Sequence, residues 1–152
     1  MKVSKAILAR GAIIALIVVI TLLIFSNSFA DVAKSHQSSS AIVEAIAPSQ
    51  TVNDGEIELT IRKAAHLVEF AALGMAVAVL VVRIKKEINK SFWGVSLFYV
   101  LAVAVTDEHI QSYCDRNSTT SDILLDFCGA LIGIVIGWLI IKGYEKIRRK
   151  NA

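Results

Sequence analysis

Charged and amide side chains lie between two long apolar runs or just inside the second one, so they fall at the ends of predicted membrane helices and not in a soluble loop. The runs are Phe92–Val105 and Ile123–Ile141, and each is long enough to cross or nearly cross a bilayer as a helix. Ionisable groups at the ends of membrane helices carry a cost, and they often mark functional sites. The polar residues concerned are Asp107, Glu108, Gln111, Arg116, Asp122 and Asp126.

An earlier apolar segment contributes a second polar group. At about 100° per residue, Arg62, His66 and Glu69 fall on one face of a helix. On the third helix, Asp107 and Gln111 lie one turn apart and Glu108 is about 100° away. These positions place several polar side chains at the same ends of successive helices.

The last apolar segment combines acids with glycines. Asp122 and Asp126 share one helical face with Gly129 and Gly133, and Gly137 continues the spacing. Glycines at this spacing allow close helix packing in membranes. We therefore expect this face to carry both carboxylates into the interior of the bundle, or to mediate a homodimer through Gly129, Gly133 and Gly137.

These residue types predict a site that binds ions, exchanges protons or forms ion pairs. They do not form a recognisable catalytic motif. Two arginines, one histidine and two helix N-termini could hold an anionic group. The carboxylates could hold a cation, orient the arginines or exchange protons. They could equally form structural ion pairs that lock the order of the helices, with Asp122 meeting Arg62 or Arg116. For Lys63 we expect contact with lipid headgroups.

Several classes of site have no support in the sequence. There is no identifiable Ser–His–Asp arrangement, no phosphate-binding glycine loop and no Cys/His metal spacing. We therefore expect no cofactor and assign no metal site. The two cysteines, Cys114 and Cys128, are expected to be free thiols.

The composition is that of a membrane protein. Hydrophobic residues make up 55% of the 152-residue chain, and they form continuous runs. We expect a single all-α domain, a polytopic membrane bundle of about four transmembrane helices. The predicted spans are residues 6–27, 62–82, 92–111 and 122–141, with an external loop at 28–60.

Basic residues predict the orientation of these helices. Twelve of the 16 lysines and arginines lie at the N-terminus, at the C-terminus or in the connection around residues 82–91. By the positive-inside rule, both termini are then cytoplasmic and the polar cluster faces outward. We expect no nucleic-acid partner, because no aromatic residues are interleaved with the basic runs for base stacking.

Two segments allow alternative interpretations. The first apolar run could be a signal peptide, with Ser28 and Ala30 near a cleavage site, but its length favours an uncleaved helix. Residues 41–47 could form a short amphipathic helix on the outer membrane surface or a partly ordered loop.

The ordered set of motifs resembles the VanZ-like family of small bacterial membrane proteins over roughly residues 10–140. The resemblance runs through IRKAAHLVEFAALG and TDEHIQ, and it continues at Arg116, Asp122, Gly129 and Gly133. It implies a multi-pass protein of the bacterial plasma membrane. The founding member is linked to teicoplanin resistance, so the resemblance implies a role in the envelope and in glycopeptide susceptibility without supplying an accepted reaction.

Two functions follow as hypotheses. The first is a non-enzymatic protein that binds membrane lipids, a lipid-linked cell-wall precursor or a lipoglycopeptide at its outer face. The second is a hydrolase or transferase acting on a lipid-linked phosphate or acyl group. In that case Glu69, Asp107, Glu108 and Asp122 would supply a base or divalent-ion ligands. A proton-coupled transporter is less favoured, because four helices are few for alternating access.

Overall fold

The computed structural model describes residues 2–29, 54–114 and 119–151, with side chains from residues 6–29, 59–114 and 119–151. This part of the chain contains four α-helices and no strand, which confirms the predicted all-α class. The helices are α1 (Lys2–Ser28), α2 (Asp54–Ile88), α3 (Trp93–Tyr113) and α4 (Thr120–Lys150). Arg116 and the predicted segment 41–47 lie outside the described residues.

The helices extend beyond the apolar runs that predicted them. α2 begins at Asp54, eight residues before the predicted span and inside the predicted external loop. α4 continues to Lys150, past the predicted end at residue 141. Acids at the start of α2 and basic residues in the last turn of α4 complement the helix dipole, so charged residues can prolong both helices.

Three of the four helices are long and apolar enough to cross a membrane. The candidate spans are Ala6–Ser28, Leu59–Ile88 and Thr120–Lys150. α3 has 21 residues, and Asp107, Glu108 and Gln111 occupy its last two turns. These polar residues lower the hydropathy of α3. That α3 also crosses the membrane therefore stays a prediction.

Side-chain contacts establish the relative directions of the helices. Thr21 of α1 contacts Tyr99 of α3, and Ser28, two turns later, contacts Asp107. The contacts follow the same order along both helices, so α1 and α3 are parallel. Arg10 contacts Glu87 of α2, whereas Asn27 contacts Glu69, so α1 and α2 are antiparallel. The helices therefore alternate in direction.

Glycines bring α2 and α4 into close parallel contact. A Cβ at Gly129 would lie 2.7 Å from the carbonyl oxygen of Leu67. A Cβ at Gly133 would overlap the backbone of Ala71 one turn further along. Only a residue without a side chain permits this approach, as is common where membrane helices pack closely.

The glycine face predicted as a possible dimer contact is therefore used inside the chain. Gly129, Gly133 and Gly137 are buried, and each faces α2. A homodimer through this same face would have to displace α2. Of the two carboxylates predicted to enter the bundle interior, Asp126 is 2% exposed, whereas the side chain of Asp122 is 21% exposed.

The outer surface of the bundle is strongly apolar. Val68 is 66% exposed, Phe98 is 72% exposed and Leu139 is 54% exposed, as are many other large hydrophobic residues. A soluble monomer does not usually expose contiguous apolar surface on this scale. This surface fits the acyl chains of a bilayer, in agreement with a transmembrane protein.

The two ends of the bundle differ in chemistry. At one end, Arg10 pairs with Glu87 at 3.2 Å, and Lys86 pairs with Glu145. We call the other end the polar end; it is formed by the C-terminal turns of α1 and α3, the N-terminal half of α2 and the N-terminal turns of α4. Because α2 begins at Asp54, Arg62 lies about two turns after the start of that helix. The side of the membrane that it faces stays a prediction.

Candidate functional site

Asp107 is the buried centre of the polar end. Its side chain is fully buried and accepts a hydrogen bond from Gln111 one turn later, at 2.8 Å. The hydroxyl group of Ser28 donates to its other oxygen, and Nδ1 of His66 lies 3.6 Å away. Asp107 therefore connects α1, α2 and α3, and its carboxylate is held from several sides.

The end of α1 contributes two side chains that the site prediction did not include. Ser28 donates to Asp107, and Asn27 donates to Glu69 at 2.6 Å. The sequence feature that could have indicated these residues is the polar run Ser26-Asn27-Ser28 after a long apolar segment. Helical phase alone could not show which of these residues faces the acids on α2 and α3.

Glu108 is buried in the C-terminal turns of α3 and has an unusual environment. It is 4% exposed, and both of its carboxylate oxygens are buried without a hydrogen-bond partner in the described part of the chain. It is close enough to Asp126 for an electrostatic interaction. A buried polar group without a partner is costly, and it requires a reason.

A small depression opens beside these acids. Its lining consists of Arg62, Lys63, His66, Gln111, Asp122, Leu125 and Asp126. About 20 Å³ of it is open to a water-sized sphere, which is room for a water molecule or an ion. A headgroup is larger, so it would have to lie across the rim rather than enter the depression.

Asp122 pairs with Lys63 and not with Arg62, and Arg116, the other predicted partner, lies outside the described residues. Its Oδ1 lies 2.8 Å from Nζ of Lys63, and its Oδ2 accepts a hydrogen bond from Thr119 at 2.8 Å. Lys63 was expected to contact headgroups, and Arg62 or Arg116 was expected to meet Asp122. Lys63 follows Arg62 on α2, and helical phase alone could not show that its side chain meets Asp122 at the start of α4.

We expect Asp122→Asn to have little effect on stability. The side chains of Lys63 and Asp122 are 43% and 21% exposed, and exposed ion pairs contribute only about 0.2–1 kcal/mol. Membrane abundance and detergent unfolding of the variant should therefore be close to wild type. A loss of more than about 2 kcal/mol would contradict the exposed-pair interpretation. If ligand binding were lost at normal abundance, Asp122 would have a role in the site.

The structure brings the predicted residues together at one end, as far as it describes them. Arg62, His66, Gln111, Asp122 and Asp126 line the depression. Asp107 and Glu108 are buried at the same end, and Glu69 lies at the contact with α1. Arg116 belongs to the part of the chain that is not described. The use of these residues as a binding site stays a prediction.

Both cysteines are free thiols, as predicted. Cys114 is partly buried just after α3, and Cys128 is exposed on α4. Neither is needed to hold the helices together.

Comparison with known proteins identifies the class of protein that carries this site. The VanZ/LLP1 family model matches residues 12–141, a range that covers the greater part of all four helices and every predicted site residue. The chain belongs to the VanZ/LLP1 family. Searches of curated proteins and of solved structures gave no significant match.

Proposed function

We propose that this VanZ-family membrane protein binds the anionic headgroup of an envelope amphiphile at its polar end. The amphiphile would be an anionic lipid, a lipid-linked cell-wall precursor or a lipoglycopeptide of the teicoplanin type. Altered glycopeptide susceptibility would then be a consequence of binding. The apolar outer surface supports this proposal, because a bound amphiphile could keep its acyl chain in the membrane beside the bundle.

The observation that carries the proposal is the position of Arg62. Arg62 lines the depression, and it forms no ion pair with any described residue, whereas its neighbour Lys63 is paired with Asp122. A guanidinium group offers several donors in a planar fork that matches phosphate and carboxylate groups. Among the described residues that line the depression, Arg62 is therefore the cation best placed to pair with a ligand, although its charge also acts on Asp122.

We expect Arg62→Gln to weaken the binding of anionic amphiphiles. The purified protein should be stabilised against heat by undecaprenyl phosphate, phosphatidylglycerol or teicoplanin, but not by phosphatidylcholine. Loss of a charge-assisted hydrogen bond costs about 1.5–3 kcal/mol, so the affinity should fall by about tenfold to a hundredfold. Thermal shifts across a ligand titration measure this change.

Arg83→Gln is the matched control, because Arg83 is an exposed arginine near the opposite end of the same helix. It should bind the responding amphiphile as wild type does. Equal loss in both variants would indicate a general charge effect. The proposal fails if no anionic amphiphile stabilises the wild-type protein.

A second candidate function is hydrolysis or group transfer on a lipid-linked phosphate or acyl substrate. The observation that favours it is His66, which lies 3.6 Å from the Asp107 carboxylate and also lines the depression near Arg62. A histidine positioned by a carboxylate can act as a general base. Turnover of a lipid phosphate by the wild type, lost in His66→Gln, would favour the enzyme; binding without turnover would favour the first proposal.

We also propose four membrane crossings, with both termini in the cytoplasm of a bacterial cell. Supporting this are the alternating helix directions and the basic residues at the end of the bundle opposite the polar end. Reporter fusions at the two termini should both give cytoplasmic signals. A fusion within residues 30–50 should give an external signal, and a cytoplasmic signal there would contradict this topology.

A further inference from the structure

Three possible metal ligands from three helices approach one another at the polar end. His66 of α2, Asp107 of α3 and Asp126 of α4 each offer one ligand atom, and these atoms all lie within 4.8 Å of one another. Their residues are buried or half-buried. We propose that His66, Asp107 and Asp126 bind one divalent metal ion. This inference does not depend on the proposed headgroup binding.

The separation of the ligand atoms suits a single ion. Zinc bonds to nitrogen and oxygen ligands are about 2.0–2.2 Å long, so two ligand atoms of a tetrahedral site lie about 3.3–3.6 Å apart. Nδ1 of His66 lies 3.6 Å from Oδ2 of Asp107, which fits this spacing. The three ligand atoms lie within 4.8 Å of one another, so the wider separations must shorten when an ion binds.

Glu108 gives independent support for a cation. Its carboxylate is buried with no hydrogen-bond partner in the described part of the chain, and it interacts electrostatically with Asp126. A lone buried carboxylate is unfavourable, and a second carboxylate beside it increases the cost. A divalent cation bound at Asp126 would offset the repulsion between the two carboxylates and so reduce this cost.

The environment of Asp107 resembles the support that metal ligands receive in other proteins. Ser28 donates to one carboxylate oxygen and Gln111 to the other. These two donors, one on α1 and one on α3, fix the orientation of the Asp107 carboxylate. Such outer partners orient a ligand before the ion arrives, and their loss typically weakens metal binding by about 10–100-fold.

The ligand types favour Zn²⁺ or Mn²⁺ over Mg²⁺ and Ca²⁺. Imidazole nitrogen suits zinc and other transition metals, whereas magnesium and calcium prefer oxygen ligands throughout. Three protein ligands leave at least one coordination position open. The adjoining depression, which both His66 and Asp126 line, could supply water to that position.

A proton is the competing way to neutralise these acids. Two carboxylates that share a site can retain one proton between them, which reduces their repulsion without a metal. In that case His66 need not act as a ligand, and the protein need not bind metal in a fixed ratio. Direct measurement of bound metal therefore separates the two cases.

The test is metal binding by the full-length protein, purified in detergent without added lipid. After removal of metal with EDTA, Zn²⁺ is titrated by calorimetry and bound zinc is counted after dialysis. We expect one ion per chain. His66→Gln and Asp126→Asn should weaken binding by more than the about 10–100-fold expected for Ser28→Ala, an outer-partner variant.

Glu145→Gln is the control for charge, because it removes an acid that is paired with Lys86 at the opposite end of the bundle. Its zinc affinity should stay within about threefold of wild type, a change of less than 1 kcal/mol. X-ray absorption of the zinc-loaded wild type should show nitrogen and oxygen ligands without sulfur, a readout that does not depend on the folding of any variant. Absence of stoichiometric zinc, unchanged affinity in Asp126→Asn, or sulfur ligation would overturn the proposal.

Because no lipid is present in this experiment, its failure leaves headgroup binding untouched. Loss of amphiphile binding in Arg62→Gln likewise leaves the zinc stoichiometry unchanged. The two proposals can therefore fail separately.

Discussion

Gly133→Ala should strongly destabilise the protein and lower its abundance in the membrane. The added Cβ would overlap the backbone carbonyl group and Cα of Ala71 on α2. Backbone atoms cannot rotate away as a side-chain tip can, so the two helices must separate. Overpacking of this kind costs about 1–3 kcal/mol and occasionally more, and the higher helix propensity of alanine offsets at most about 1 kcal/mol of it.

Gly143 provides a matched control on the same helix. A Cβ at Gly143 has nothing within 4 Å, so Gly143→Ala should be neutral or should stabilise α4 by up to about 1 kcal/mol. Gly137→Ala should give an intermediate result, because part of its contact is with the flexible side chain of Met75 at 3.1 Å. Unfolding of the purified variants by increasing SDS gives the order of stability.

The glycine series also tests the packing that supports the polar end. Gly129 is less than one turn after Asp126, and both face into the bundle. If Gly133→Ala were as stable as Gly143→Ala, the close contact between α2 and α4 would be wrong. The arrangement of His66 and Asp126 in the proposed metal site would then lose its structural basis.

Glu108→Met should stabilise the metal-free protein by about 1–3 kcal/mol, the typical cost of an unsatisfied buried polar group. Glu108 is 4% exposed, and its two oxygens have no hydrogen-bond partner in the described part of the chain. Methionine has a similar length and shape, so it can fill the same space without the charge. Replacement of buried charges by apolar residues of similar volume is often neutral or stabilising.

The measurement is detergent unfolding of EDTA-treated protein, with Glu145→Met as the control. Glu145 pairs with Lys86 at the opposite end of the bundle, so its replacement should not stabilise the protein. Destabilisation by Glu108→Met would show that Glu108 has a partner that helps the protein fold. Gain of stability together with weaker zinc binding would indicate that the wild type retains Glu108 for function, since functional sites often reduce stability.

The two proposals assign different parts of the polar end to different ligands. Arg62 lies at the rim, where a headgroup larger than the depression could reach it. His66, Asp107 and Asp126 lie together deeper in the bundle. An ion bound there would also reduce the negative potential that an approaching anion meets. A phosphate that binds more tightly in the presence of zinc would connect the two sites.

The sequence by itself determined the class of protein and the location of its polar residues. Long apolar runs specify membrane helices because backbone groups must be hydrogen-bonded within the bilayer. A period of about 3.6 residues places Arg62, His66 and Glu69 on one face, and Asp122, Asp126 and the glycines on another. Family membership was also visible in the sequence, in the order of the motifs along the chain.

Only the tertiary structure decided which of these groups touch. The periodicity of a helix gives the direction of a side chain from its own axis, but not the neighbour that it meets. For this reason Lys63, rather than Arg62, proved to be the partner of Asp122, and Asn27 and Ser28 of α1 joined the site. The grouping of His66, Asp107 and Asp126 depends on the packing of three helices, so no spacing along the sequence could reveal it.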